Sequence, residues 1–303
     1  FDAFSFGTLA TPYDAYRYAK GAAIKHPAGY DIQLNKPLDF YAVTDHAMFL
    51  GVSNQAADTT TEISKFEETK ALHNLNAPDN FGIESFIPRT QAFRPFIPKL
   101  SKAMQAGTIK PEMISRISKN AWDDTIKAAQ EHYIPGEFTT FVAYEFTTAK
   151  NTGSLHRNVI FKGPDNYPEM PFSRINSTNP EDLWVWMDRQ RANGATLFAI
   201  PHNGNASDGI MFPENKSFGD SEMNTAYSDA RMRNEPLYEM TQIKGNSETH
   251  PDLSPNDEFS AFEIWDYTLS PSAVRPTNRV GSYIRDALLR GMKLEAEGKG
   301  NPF

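Results

Sequence analysis

Short runs of apolar, strand-forming residues alternate along this chain with segments whose apolar positions recur at helical spacing, and several runs stop on an acidic residue or a histidine. Leu38-Asp39-Phe40-Tyr41-Ala42-Val43 ends on Thr44-Asp45-His46. The run Thr139 to Phe146 holds Glu145 inside Phe141-Val142-Ala143-Tyr144-Glu145-Phe146, and Asn158 to Phe161 follows closely with His156 just before it. Ala195 to Ile200 breaks at Pro201-His202-Asn203-Gly204. Runs of this length, bounded by turn residues, predict strands. Two more are predicted at Leu237 to Ile243 and Ala261 to Trp265.

The helical signals lie between these runs. Thr11-Pro12-Tyr13-Asp14 sets a capping hydroxyl before a proline at the first helical position, with a carboxylate in the first turn, and Gly21 closes that helix. Trp122 to Tyr133 predicts a second helix. Thr178-Asn179-Pro180-Glu181 opens a third that runs through Arg191 and ends at Gly194. Arg279 to Leu294 predicts an amphipathic fourth, with Val280, Tyr283, Ile284, Ala287 and Leu288 on its apolar face. From about 52 to 120 the chain is rich in Asn, Thr, Lys and Pro, with helical patches and no strand, and is read as a loop-rich insertion or lid.

Strand and helix alternating over 303 residues, with strands too apolar to present a wet face, predict a largely parallel α/β sheet covered by helices, closed as a single barrel domain. Composition narrows the function classes. The net charge is −8 and no Lys/Arg block stands out, which argues against a nucleic-acid partner. No stretch approaches the ~20 uninterrupted apolar residues that span a bilayer. With no cysteine in the chain, any metal must be held by His, Asp and Glu. The glycines at 204 and 209 lack phosphate-loop or dinucleotide spacing, and no Gly-x-Ser-x-Gly nucleophile motif is present.

Five residues, Asp2, His46, Glu145, His156 and His202, stand at or beside the ends of apolar segments. Catalytic groups in a parallel α/β architecture gather at the C-terminal strand ends, so these are the candidate metal ligands. Glu145 interrupts an apolar strand and must be neutralised there. A cation would do so, and a buried ion pair with an arginine such as Arg157 is the plainer alternative. His156 precedes its strand, so its position favours a ligand no more than a structural histidine. His26, His73 and His132 lie in polar or helical surroundings and are read as solvent-exposed. Gln242, Lys244, Glu248 and His250 are weaker candidates for holding an anionic substrate, and Glu263 is a second buried-carboxylate candidate. Trp184, Trp186 and Trp265 suggest sugar binding only faintly, because tryptophans in helices and strands more often pack the core.

Taken in order, Phe40-Tyr41-Ala42-Val43-Thr44-Asp45-His46, the Tyr144-Glu145-Phe146-Thr147 strand, Leu155-His156-Arg157-Asn158-Val159-Ile160-Phe161 and Ile200-Pro201-His202-Asn203 resemble the polymerase and histidinol phosphatase (PHP) superfamily. Gln242-Ile243-Lys244-Gly245-Asn246-Ser247-Glu248-Thr249-His250-Pro251 and Phe262-Glu263-Ile264-Trp265-Asp266 narrow the resemblance to domain-of-unknown-function family 3604. It runs across nearly the whole chain. The resemblance implies a distorted seven-stranded (β/α) barrel of the PHP type, incomplete at both ends of this chain, with two or three divalent cations (Mn²⁺, Zn²⁺ or Fe²⁺) at the strand ends.

It also implies hydrolysis of a small-molecule phosphate or sulfate ester by a hydroxide formed on the cations. Carried over residue by residue, Asp2, His46, His156 and His202 would be ligands and Glu145 the carboxylate bridging metals. Asp45 would stand behind the ligands and orient one of them or the substrate. From the residues themselves, Glu248 and Glu263 are expected behind the ligands, and His250 or Lys244 is expected to hold the ester or protonate the departing oxygen. Members of the family carry a His-x-His pair just before the Phe-Asp-Ala that opens this chain and an Asp-x-His pair soon after its last residues. The chain is therefore expected to be an excised, inactive piece of a longer, exported bacterial protein. The rival expectation is a metal-depleted, non-catalytic binding or scaffold domain.

Overall fold

The sequence signals at Thr11 resolve into a complete capping box in the computed structural model, which describes residues 2–80, 82–269 and 273–303. The Thr11 hydroxyl accepts from the Asp14 amide, and the Asp14 carboxylate accepts from the Thr11 amide at 3.0 Å, with Pro12 at the first helical position. The chain divides into two units, Phe1–Ala143 with Glu169–Pro171, and Tyr144–Pro168 with Phe172–Phe303.

The first unit contains α1 (Asp2–Ser5), α2 (Pro12–Ala19), an antiparallel pair β1 (Ile24–Lys25) and β2 (Asp31–Ile32), and β3 (Phe40–Val43). It continues through α3 (Val52–Ala57), α4 (Phe86–Phe93), α5 (Phe96–Gln105), α6 (Pro111–His132) and the first residues of β4 (Thr139–Phe146). β3 pairs in parallel with β4, Phe40 opposite Thr139 and Val43 opposite Val142. The segment from 52 to 120, expected to be loop-rich, is mostly helices around an apolar core that Phe4, Met48 and Phe49 share. Val52, Ile63, Leu72, Phe96, Leu100 and Ile109 are all at most 1 % exposed in that cluster. The buried Arg89 ties it together, donating to the Phe4 carbonyl, the Leu75 carbonyl and the Asn76 side chain.

The second unit begins at the end of β4 and continues with the small hairpin β5 (Ala149–Lys150) and β6 (Gly153–Ser154), then β7 (His156–Lys162), α7 (Pro180–Ala192) and β8 (Thr196–His202). After these come α8 (Thr225–Asn234), the two-residue strands β9 (Thr241–Gln242) and β10 (Gly245–Asn246), and α9 (Ile284–Ala296). Asn179 caps α7 by accepting from the Glu181 amide, and Asn224 caps α8 by accepting from the Tyr227 amide. Leu155, Met211, Phe212, Ile284, Ala287 and Phe303 form an apolar cluster that includes α9.

The architecture is mixed α/β, and no closed barrel is present among the described residues. The largest sheet has four strands in the order β3-β4-β7-β8, and β7 and β8 run antiparallel, whereas a largely parallel sheet was expected. The expected strand at Leu237 to Ile243 contracts to β9, and Ala261 to Trp265 forms no strand, with Phe262 61 % exposed. Neither apolar run has found a long ladder partner, and without one the backbone groups of a strand have no interstrand acceptors or donors.

Candidate metal centre

The antiparallel pairing of β7 with β8 assembles the site. In that register His156, the first residue of β7, lies directly opposite His202, the last residue of β8. A parallel pairing would have set a residue at the start of one strand far from a residue at the end of the other. The two rings meet edge to face, with centroids 5.7 Å apart and planes at 82°. Glu145, next to last in the adjacent β4, completes the group: its Oε1 lies 2.8 Å from His156 Nδ1 and 3.5 Å from His202 Nε2. Thr147 donates to the same oxygen at 3.2 Å. One ligand atom from each of the three side chains lies within 4.8 Å of the other two. The side chains are 12 % (Glu145), 14 % (His156) and 6 % (His202) exposed. A carboxylate and two imidazoles at this depth form a set of hard nitrogen and oxygen donors of the kind that holds Zn²⁺ or Mn²⁺.

The residues after His202 are fixed by distant parts of the same unit. Asn203 takes left-handed backbone angles, φ 55° and ψ 40°, which asparagine tolerates better than most side chains. A side chain at Gly204 would put its Cβ 2.6 Å from the Ser282 carbonyl oxygen. Gly153 of β6 packs similarly close on the Ser207 carbonyl, so this loop admits no side chain on either flank. Asn205 is 1 % exposed, donates to the Lys244 carbonyl at 2.9 Å and accepts from the Ser247 hydroxyl at 2.9 Å. His202 Nδ1 and both polar atoms of the Asn203 carboxamide are buried and make no hydrogen bond among the described residues. Three unsatisfied atoms on two consecutive residues is the kind of concentration that marks a ligand site rather than ordinary packing.

The other candidates stand on other elements. Asp2 and His46 belong to the first unit, where they lie 3.9 Å apart, Asp2 on the short helix α1 and not beside a strand. His46 and Asp45 line a cavity of about 480 Å³ in that unit together with Phe4, Thr11 and Asp124. Glu263 is exposed, with φ 46° and no surrounding strand, so the expected buried carboxylate is corrected: its side chain accepts from Thr241 at 3.4 Å on the surface. Glu248 pairs with Arg285 at 2.5 Å and Gln242 donates to Glu239 at 2.7 Å. Lys244 is half-buried and contributes its carbonyl to Asn205, while His250 is buried in a separate cluster.

His26, His73 and His132 are half-buried rather than exposed. His26 Nδ1 accepts from the Ala28 amide, and the other two rings lie 2.9–3.0 Å from the carbonyls of Ser64 and Tyr13. Trp184 is buried and donates to Glu235 at 2.8 Å, as a core residue does. Sequence reasoning passed over Asn205, Ser247 and Glu235. The His202-Asn203-Gly204-Asn205 turn carried a signal for the first in its clustered turn formers; the partners lie too far along the chain for any local pattern to show.

Comparison with curated proteins and with solved structures finds no match. The sequence model of the family described as Protein of unknown function (DUF3604) matches residues 1–303. The chain, with its carboxylate and two imidazoles gathered on neighbouring strands, therefore belongs to the DUF3604 family.

Proposed function

We propose that this chain belongs to a metal-dependent hydrolase of phosphate or sulfate esters, with Glu145, His156 and His202 as ligands to a divalent cation. One observation carries the reading: three donors from β4, β7 and β8 offer atoms within 4.8 Å of one another inside a largely buried site. The resemblance to the PHP superfamily supports it, and with that resemblance comes the superfamily's distorted barrel as the proposed parent fold. A cation held there would supply a Lewis acid that polarises the ester and makes water acidic near neutral pH. The chain's own groups have narrower tasks. Glu145 brings the negative charge that balances the cation, Thr147 fixes the rotation of that carboxylate, and the Asn203 carboxamide offers a donor and an acceptor with no other use.

A second reading, a binding domain without catalysis, is favoured by the direct 2.8 Å contact between Glu145 and His156, which satisfies both groups without a cation. Titration of Mn²⁺ or Zn²⁺ into the protein, followed by calorimetry, separates the two. Saturable binding is expected, weakened by about tenfold or more, ~1.4 kcal/mol, in Glu145→Gln, whose amide cannot balance a cation. Chelation is expected to abolish whatever turnover of aryl phosphate or aryl sulfate the protein shows. Metal binding unchanged by Glu145→Gln would remove the centre from this site.

A further inference from the structure

Gln242, Glu263 and Trp265, which the metal centre leaves aside, line one cavity of about 420 Å³ in the second unit. One wall is the hairpin of β9 and β10, in which Gln242 stands opposite Gly245. The other is the segment from Glu263 to Trp265. Backbone holds the two walls together: the Asn246 amide donates to the Glu263 carbonyl at 3.0 Å. Gly245, at φ 93°, comes so close that a Cβ there would lie 2.5 Å from Trp265 Cβ and 2.8 Å from its backbone nitrogen. The glycine thus sets where the tryptophan stands.

Two observations separate this cavity from ordinary surface. Trp122 and Trp184 are buried, whereas Trp265 is 37 % exposed and turns part of a large amphipathic ring to the cavity. Glu263 takes a left-handed backbone conformation, φ 46°, which a Cβ disfavours and a glycine would adopt freely. A strained residue of this kind is kept for its side chain, and here the side chain is a carboxylate at the cavity.

The chemistry of the lining selects a ligand class. Glu263 accepts from the Thr241 hydroxyl at 3.4 Å and has acceptor capacity to spare. Gln242 gives a side-chain N–H to Glu239 at 2.7 Å and keeps its carbonyl oxygen for another donor. Acceptors therefore stand beside an indole and two open isoleucines, Ile243 and Ile264. No Lys or Arg lines the cavity among the described residues, and its one charged group is a carboxylate, so an anion is repelled. A pyranose ring matches this lining: it has C–H bonds on its faces for the indole and O–H donors around its edge. The volume falls within the range of about 300–1,000 Å³ usual for small-molecule sites.

We propose that this cavity binds a neutral sugar ring, stacked on Trp265 and held through its hydroxyls by Glu263 and Gln242. None of these residues is among the three proposed metal ligands. The test is run on chelator-treated protein, so its failure and the failure of the metal reading are separate results.

The experiment follows the indole N–H signals by NMR, with that of Trp265 assigned by its loss in Trp265→Phe. The protein is titrated with the methyl glycosides of glucose, galactose, mannose and N-acetylglucosamine. At least one is expected to displace the Trp265 signal saturably, with half-saturation below about 100 mM, and to leave the Trp122 and Trp184 signals in place. Glu263→Gly frees the backbone and removes the carboxylate. It is expected to keep or raise the denaturant midpoint while weakening sugar binding by about tenfold or more. Trp265→Ala is expected to abolish binding, read on the sugar's own signals, and Trp265→Phe to retain part of it. If Trp265→Ala fails to fold, Glu263→Gly carries the test. The proposal is overturned if none of the four glycosides moves the Trp265 signal, or if the folded variants bind sugar like the parent. Sorbitol, an open-chain polyol, acting equally would overturn the stacked ring. Tetramethylammonium binding more tightly than every glycoside would assign the cavity to organic cations instead, and glucose 6-sulfate binding more tightly than glucose would overturn the neutral assignment.

Discussion

Arg157 donates to Glu235 at 2.6 Å and not to Glu145, although Arg157 and His156 are neighbours on the same strand. Successive residues of a strand face opposite sides of the sheet. His156 therefore turns toward Glu145 while Arg157 turns to the far side, where Glu235 is 0 % exposed and also accepts from Trp184. Arg157 is thus excluded by geometry as the ion-pair partner of the carboxylate inside β4. Glu145 meets two imidazoles and a hydroxyl, a setting that lends itself to a cation.

The Arg157–Glu235 pair makes the first stability prediction. Glu235 also lies 3.4 Å from Arg231, so one carboxylate serves two guanidiniums that are at most 2 % exposed. Glu235→Gln would leave both charges without their counterion, at a cost of about 3–5 kcal/mol. Arg157→Met combined with Glu235→Leu is expected to recover part of that loss, because it removes one buried charge along with its partner. Denaturant unfolding of the single and double variants measures this. A single variant within about 0.5 kcal/mol of the parent would mean that the pair is not desolvated as the geometry indicates.

Gly204 tests how tightly the loop behind His202 is held. Its Cβ would meet the Ser282 carbonyl at 2.6 Å and the Phe212 ring at 3.1 Å, and backbone on one side leaves nothing flexible to give way. Gly204→Ala is expected to destabilise the protein by about 1–3 kcal/mol and to weaken divalent-cation binding, since the shift arises two residues from His202, a proposed ligand. Gly136→Ala is the comparison: it has nothing within 4 Å but a φ of 79°, so it reports backbone strain alone. Equal stability losses in the two variants, with metal affinity intact in both, would show that the close approach at Gly204 does not position His202.

The local parts of the fold were legible in the sequence and the pairings were not. Thr139–Phe146 forms a strand with the bounds its composition suggested, and the Thr11-Pro12-Asp14 signal became a capping box, because both depend on residues a few positions apart. His156 could not be weighed from its place before a strand, since its meaning depends on whether β7 and β8 run parallel or antiparallel. That choice fixes which strand ends meet. Ala261 to Trp265 shows the converse error. Its apolar pattern records a tendency to be buried, but a strand needs a neighbour to complete its hydrogen bonds, and Trp265 remains 37 % exposed. Asn205 stood in a recognisable cluster of turn formers, but its bond to Ser247, across 42 positions, left no local pattern.

A pH dependence follows from Asp188, on α7. Hydrogen bonds from Arg233 at 2.7 and 3.1 Å hold its carboxyl below the usual range, with Arg191 at 2.7 Å adding to the effect. The sign is set by which state binds the proton more readily. The unfolded carboxylate takes up a proton first on acidification, so the stabilisation is complete above the unfolded pKa of ~3.9 and is lost as pH falls through the lower folded value. At 37 % exposure the bridge is screened by solvent, and Asp188→Asn is expected to cost about 1 kcal/mol or less at pH 7. Parent and variant unfolding curves, measured by denaturant from pH 7 downward, are expected to stay apart to about pH 4 and converge below it. A gap that persists unchanged at pH 2.5, where the folded state survives, would assign the loss to the amide's geometry rather than to the charge.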